Sequence, residues 1–395
     1  MLKFYYPPVP FNTQYQTIDR SRGLSLRFFL FPQTMYDTPY FSPLSRKTKN
    51  TPTTNPHKIP QPRIIQRALI DWAQISTIIK PSQGLSSHVF FVKLNDKQEY
   101  VLKFPFENSV GENERMASSF IAKNTNSLLS PRTRLISMQS TEVEQLEAGI
   151  KRHSTPAARE LLDVLLSHPT GEFICMEKMS GRSLDFMEST SDRKLLADPS
   201  FQSRLGEVLA FDLLMGNIDR LLLLNPDNLI YDLKKRSLSL IDQKVSIYDL
   251  SGVIPHGAMD TEVLNTPHAS EDEKMEAMLQ VNAHLKEYLE IQLAPLKNGE
   301  FGKSSISEKL AFMFETQYQA RIDRRLIDIG LYEGLLKIAQ NFHWAGAEAM
   351  TEWSKTGVEG MGLFHNWLTV SDLLPDAQQS LASLEKNRKR LLKKR

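Results

Sequence analysis

The run Phe211–Gln243, FDLLMGNIDRLLLLNPDNLIYDLKKRSLSLIDQ, restricts the fold of this chain more than any other stretch. It begins within Leu205–Met215 (LGEVLAFDLLM), whose length and near-continuous apolar character predict a buried helix. Asp219 follows just past that helix, beside Arg220, and Asn228 comes nine residues later. Leu229–Tyr231 and Leu238–Ile241 read as short strands, and the polar run Asp232–Arg236 (DLKKR) supplies a tight turn between them. Such a hairpin brings its two ends side by side. Asn228 then lies just before one strand and Asp242 just after its partner. An amide carbonyl and a carboxylate placed together are hard oxygen donors suited to Mg²⁺. Asp219 would face whatever the metal holds. A carboxylate that takes a hydroxyl proton, beside a metal that neutralises phosphate oxygens, is what phosphoryl transfer requires.

Upstream residues complete the set in order. Ile75–Lys80 (ISTIIK), His88–Leu94 (HVFFVKL) and Glu99–Phe104 (EYVLKF) are short, β-branched or alternating runs, with turn chemistry at Asn95-Asp96-Lys97. They predict an antiparallel sheet. Between the first two lies Gly84-Leu85-Ser86-Ser87. Gly84 lets backbone approach a phosphate, and Ser86 and Ser87 offer hydroxyl and N–H donors to it. Lys103, read as lying on a sheet edge beneath this loop, is placed to pair with phosphates. Glu112–Lys123 (ENERMASSFIAK) predicts a helix with Met116, Phe120 and Ile121 on one stripe. Glu114 on that helix can hold Lys103, with Glu112 as the alternative. Phe173–Met179 (FICMEKM) reads as a strand ended by Ser180-Gly181 and is expected to join two lobes, leaving backbone groups at Glu177 and Met179 free to meet an adenine. Taken singly these residues say little: a strand lysine is usually solvated and a glycine between strands is usually a turn. Their order carries the reading.

The rest is mostly helical. Ser270 with Glu273 and Ser305 with Glu308 predict capping boxes ahead of apolar stripes that are core. Residues 1–62 hold ten of the 21 prolines, and eight Lys or Arg against only Asp19 and Asp37, so that stretch reads as a disordered leader with a possible targeting or export role. Lys386–Arg395 carries seven basic residues in ten, a tail for solvent, anionic lipid or an import receptor. A lone cysteine, Cys175, excludes an internal disulfide and a cysteine-based zinc site and suggests a reducing, cytoplasmic setting. Net charge is +2, which gives no sign of specific nucleic-acid binding, and no apolar run is long enough to span a bilayer. The nine histidines contain no His-x-x-x-His pair, and no Gly-x-Ser-x-Gly elbow occurs.

The segment GNIDRLLLLNPDNLIYD, followed by LSLIDQ, resembles the catalytic loop and metal-binding hairpin of the actin-fragmin kinase family, a divergent branch of the protein-kinase-like fold akin also to phosphoinositide kinases. Asn217-Ile218-Asp219-Arg220, Asn225-Pro226-Asp227-Asn228 and Ile241-Asp242 match the family's loop, Asn-rich turn and Ile-Asp. The resemblance covers about residues 75–250. It departs from ordinary protein kinases in several ways. Asn217 stands where a His-Arg-Asp histidine would be, and Gln243 follows Asp242. The glycine loop has one glycine, no Ala-Pro-Glu closes an activation loop, and the long Asp219–Asn228 interval leaves Asn225 as an alternative to Asn228.

The resemblance implies a two-lobed α+β protein-kinase-like fold, here an antiparallel-sheet lobe with one helix and hinge (63–180) and a mainly helical catalytic core (181–264); the sequence pattern adds a helical extension (265–385) and the basic tail (386–395). It implies ATP and Mg²⁺, and a protein Ser or Thr hydroxyl as acceptor, with actin or another cytoskeletal protein as substrate. Two alternatives remain beside it: a phosphoinositide kinase, and a catalytically weak pseudokinase acting as a binding module. Implied roles are Asp219 as base, Lys103 on the ATP phosphates, Glu114 holding Lys103, and Asn228 with Asp242 on the metal.

Overall fold

The computed structural model describes residues 70–393, apart from 82–86, 107–108, 126, 169–170, 185–193, 218–219, 221–225, 247–268 and 354–355. The chain divides into two units, Met1–Gln61 and Pro62–Arg395. The first unit, and with it the expected leader, lies outside the described residues.

The alternating runs near the start of the second unit form strands β1 (Ile75–Ile79), β2 (Ser87–Leu94) and β3 (Glu99–Pro105). Lys97 closes the β2–β3 turn in the left-handed region at φ 71°, and Asp96 Oδ1 accepts from the Gln98 N–H at 2.9 Å. Both features suit that Asn-Asp-Lys sequence. Helix α1 (Ser109–Asn124) follows, then β4 (Leu128–Leu129), β5 (Thr133–Ser137), α2 (Thr141–Ile150), α3 (Pro156–Ser167) and β6 (Glu172–Glu177). The first sheet has the order β1-β2-β3-β6-β5, antiparallel throughout. Lys103 is therefore on an interior strand, not the edge strand expected. The lobe also holds more than the single helix expected. Helices α2 and α3 cover one face with Leu146, Leu161 and Leu165, against Trp72, Phe90, Leu102, Phe104 and Phe173. Thr155 caps α3 ahead of Pro156, a start signal plainly present in the sequence.

Beyond β6 come β7 (Arg182–Ser183), α4 (Pro199–Met215), and the hairpin β8 (Leu229–Asp232) and β9 (Ser237–Leu240). They form a second sheet, β4-β9-β8-β7. Helices α5 (Glu271–Lys297), α6 (Ser305–Tyr318), α7 (Arg324–Trp353), α8 (Gly357–Leu373) and α9 (Ala377–Lys393) complete the second lobe. The Ser270–Glu273 capping box is formed. The second expected box is not: Ser304, one residue earlier, caps α6 through the Ser307 N–H, which puts Ser305 inside the helix. The basic run at the C-terminus continues α9 as helix to Lys393.

Helix α4 is the axis of the helical core, with every residue from Leu205 to Met215 buried. It touches α7 backbone to backbone. A Cβ added at Gly330 would lie 1.7 Å from the Ser203 carbonyl oxygen, and one at Gly206 would lie 2.0 Å from that of Ile327. The fold is thus the two-lobed α+β protein-kinase-like arrangement. Among the described residues no helix is long and apolar enough to cross a membrane.

Candidate functional site

Strand β3 carries Lys103 into the interior between the sheet and α1. Its Nζ donates to Glu114 Oε2 at 2.8 Å and to Asp242 Oδ1. Three residues separated by 139 positions in sequence thus meet at one ammonium. The choice between two acidic residues on α1 is settled geometrically, because Glu112 turns to Arg115, accepting from its Nε at 2.8 Å. The side chains of Lys103 and Glu114 are 9% and 1% exposed, whereas that of Asp242 is 48% exposed. One carboxylate is therefore a buried support and the other is open to solvent.

Burial alone would lower the Lys103 ammonium, but the Glu114 and Asp242 carboxylates more than reverse it, and the group is held above the ordinary lysine range. Burial pushes Glu114 up, opposed by Lys103. Lys103 stays cationic. Its ammonium faces two carboxylates, of which only that of Asp242 is open to solvent.

The hairpin aligns Asn228 with this cluster. Pro226–Asn228 is a 3-10 turn leading into β8, and the Ile241 N–H donates to the Asn228 carbonyl at 3.0 Å. Asn228 is thus across one backbone hydrogen bond from the neighbour of Asp242. Asp242 itself has φ 52°, the left-handed region, which costs a non-glycine residue roughly 1–2 kcal/mol. Among the described residues no group of three or more His, Cys, Asp or Glu side chains could hold a metal. A solvent-exposed carboxylate with an adjacent amide nevertheless fits Mg²⁺, which keeps waters and phosphate oxygens and needs only one or two protein donors.

Other expected residues distribute as follows. Ser87 begins β2, buried, opposite Pro105 and two residues beyond the level of Lys103 on the neighbouring strand. Gly84, Ser86, Asp219 and the alternative Asn225 lie outside the described residues. Glu177 is the last residue of β6, opposite Tyr100. Its N–H donates to the Arg132 carbonyl, and the Lys178 N–H donates to that of Glu99. The run is a strand, as expected, through Glu177, but the N–H groups of Glu177 and Lys178 are already used rather than free. Met179 is the first residue past them.

A buried cluster next to this site was not anticipated as such. Arg220, wholly buried, donates through Nε to Asp212 Oδ1 at 3.1 Å and through Nη2 to Gln243 Oε1 at 2.9 Å. Its Nη1 reaches the Ile241 carbonyl at 3.5 Å. Burial raises Asp212 to about 7, with Arg220 opposing. The available signal was Asp212 itself, a lone carboxylate inside LAFDLLM, because a charge that folds into such a helix needs a partner.

A lysine on an interior strand, held by a helix glutamate and facing an aspartate at a hairpin end across two lobes, defines the protein-kinase-like class. Residues 54–312, well over half the chain, match the family model of the actin-fragmin kinase catalytic domain, and the chain belongs to that family. It is thus a kinase, a phosphotransferase. No curated protein matches it.

Proposed function

We propose that the chain transfers the γ-phosphate of ATP, with Mg²⁺, to a Ser or Thr hydroxyl of a protein. The observation that carries this reading is the meeting of Lys103, Glu114 and Asp242. Glu114 keeps the ammonium in place, and Lys103 grips the α- and β-phosphates. Asp242 and Asn228 hold Mg²⁺, which would offset the charge on the transferring phosphate oxygens. Gly84, Ser86 and Ser87 cover the phosphates. Backbone beyond Glu177, starting at Met179, meets the adenine. Asp219 accepts the proton of the attacking hydroxyl, whose oxygen bonds to the γ-phosphorus as the bond to the β-phosphate oxygen breaks and ADP leaves. The family's name makes actin the first acceptor to try, with other cytoskeletal proteins next.

The test is label transfer from γ-labelled ATP, with actin, a cytoskeletal extract and anionic lipid vesicles offered separately. Wild-type protein is expected to label protein Ser or Thr, and Asp219→Ala to lose at least about a hundredfold of that rate. Equal transfer by Asp219→Ala would remove Asp219 from the mechanism. Label confined to lipid would make the chain a phosphoinositide kinase, and nucleotide binding with no transfer to any acceptor would make it a binding module.

A further inference from the structure

The backbone around Asp242 is unusual in being held from both sides by one side chain. Arg220 reaches the carbonyl of Ile241, the residue before Asp242, and the side-chain oxygen of Gln243, the residue after it. Gln243 is itself fixed, its Nε2 donating to the Leu240 carbonyl at 2.5 Å. The same guanidinium is anchored to Asp212 on α4, and α4 is immobilised along its length in the helical core. The loop is pinned at two further points. The Asn217 N–H donates to the Asp212 carbonyl at 2.9 Å, and the Ser246 N–H donates to that of Met215 at 2.8 Å. Between these clamps Asp242 takes its left-handed φ of 52° and turns its carboxylate to Lys103. A side chain in that region persists where its surroundings over-determine it.

We infer that Arg220 is a positioning residue. By clasping both neighbours of Asp242 to α4 it fixes the aim of the proposed metal carboxylate. This rests on the kinase reading above. Arg220 touches neither nucleotide nor acceptor. Lysine in its place would keep a charge beside Asp212 but lacks the planar fork that spans three acceptors. Buried ion pairs can often be exchanged for apolar side chains of similar size with little loss of stability, so the clasp can be removed without leaving a stranded charge.

The experiment compares wild type, Arg220→Lys, and the double variant Asp212→Leu with Arg220→Met. Binding of a non-hydrolysable ATP analogue is titrated twice for each, in saturating Mg²⁺ and in EDTA, with melting curves alongside. Wild type is expected to bind more tightly with Mg²⁺. Both variants are expected to keep the EDTA affinity and to lose about tenfold or more of the Mg²⁺-dependent gain, the size seen when a residue supporting a metal ligand is removed. An unchanged gain in both variants overturns the inference and leaves the kinase reading standing. An equal fall in both conditions also overturns it, since that is general loss of structure. Absence of any Mg²⁺-dependent gain in wild type defeats the kinase reading and this inference together.

Discussion

At the scale of single residues, the candidate site is a small number of charges in unequal surroundings. Lys103 and Glu114 are buried together and Asp242 is half open, so the first two form a fixed platform and the third faces solvent. This much was legible. A strand lysine, a helix glutamate and an aspartate after a hairpin could each be named from sequence, because the residue types are distinctive and their order is strict. Which of Glu112 and Glu114 meets the lysine was not legible, since the two are acids two positions apart on one helix and only the facing strand decides which is buried against it. Asp212 provides a pH test at this scale. Its carboxyl is raised from 3.8 to about 7 by burial, so the folded state holds a proton that the unfolded chain has released. The associated stability is complete below about pH 4 and is lost as pH rises toward 7. Stability of wild type relative to the Asp212→Leu, Arg220→Met variant is therefore expected to fall across that window in chemical denaturation. A difference that stays flat from pH 4 to 7 would contradict the assignment.

Among the elements, the contact between α4 and α7 is where packing is least forgiving. Gly330 stands against the Ser203 carbonyl with no room for a methyl group, and Gly206 stands likewise against Ile327. Gly330→Ala is expected to force these helices apart at a cost of about 3 kcal/mol, lowering Tm by several degrees in calorimetry. An unchanged Tm would mean the helices do not approach as closely as described. The same glycines illustrate a limit on reading elements from sequence. Helix α4 was expected from its apolar run, and the strands of the hairpin from alternation flanking a polar turn. Gly206 and Gly330, however, carry no mark that distinguishes a close approach from a tolerated glycine. Helices α2 and α3 were missed although Thr155-Pro156 signals a start, and the cap of α6 fell one serine early, because neighbouring serines compete equally for that role until the chain on either side is placed.

For the molecule as a whole, α1 is the member that joins the two cores. Its first half lies on the sheet, where a Cβ on Gly111 would meet Leu135 and Ile174. Its apolar stripe, Met116, Phe120 and Ile121, enters the helical core, and Phe120 meets Phe211, Trp353 and Trp367 edge-on. Just past its end, Thr125 Oγ1 donates to Glu207 Oε1 at 2.6 Å, Ser127 Oγ donates to the same carboxylate, and Lys337 Nζ donates at 3.1 Å. Glu114 is thus located by both lobes at once. Replacing Glu207 by Ala removes the acceptor shared by Thr125, Ser127 and Lys337, though Lys337 keeps Glu333 at 2.9 Å and the two hydroxyls keep each other, and about 1–3 kcal/mol of stability is expected to go with it. The melting profile should split into two transitions, with Glu207→Gln largely restoring one. A single transition at the wild-type temperature would show that this link does not couple the lobes. By itself the sequence determined the parts: apolar periodicity, turn residues and the order of charged groups are local properties, and they sufficed for the fold class and for placing Lys103 on a strand and Asn228 and Asp242 at the two ends of one hairpin. Only the tertiary structure decided the pairings. Which core takes the stripe of α1, which acid takes the lysine and which arginine clasps the hairpin depend on residues far apart in the chain, and such contacts exist only once both partners have been brought to the same place.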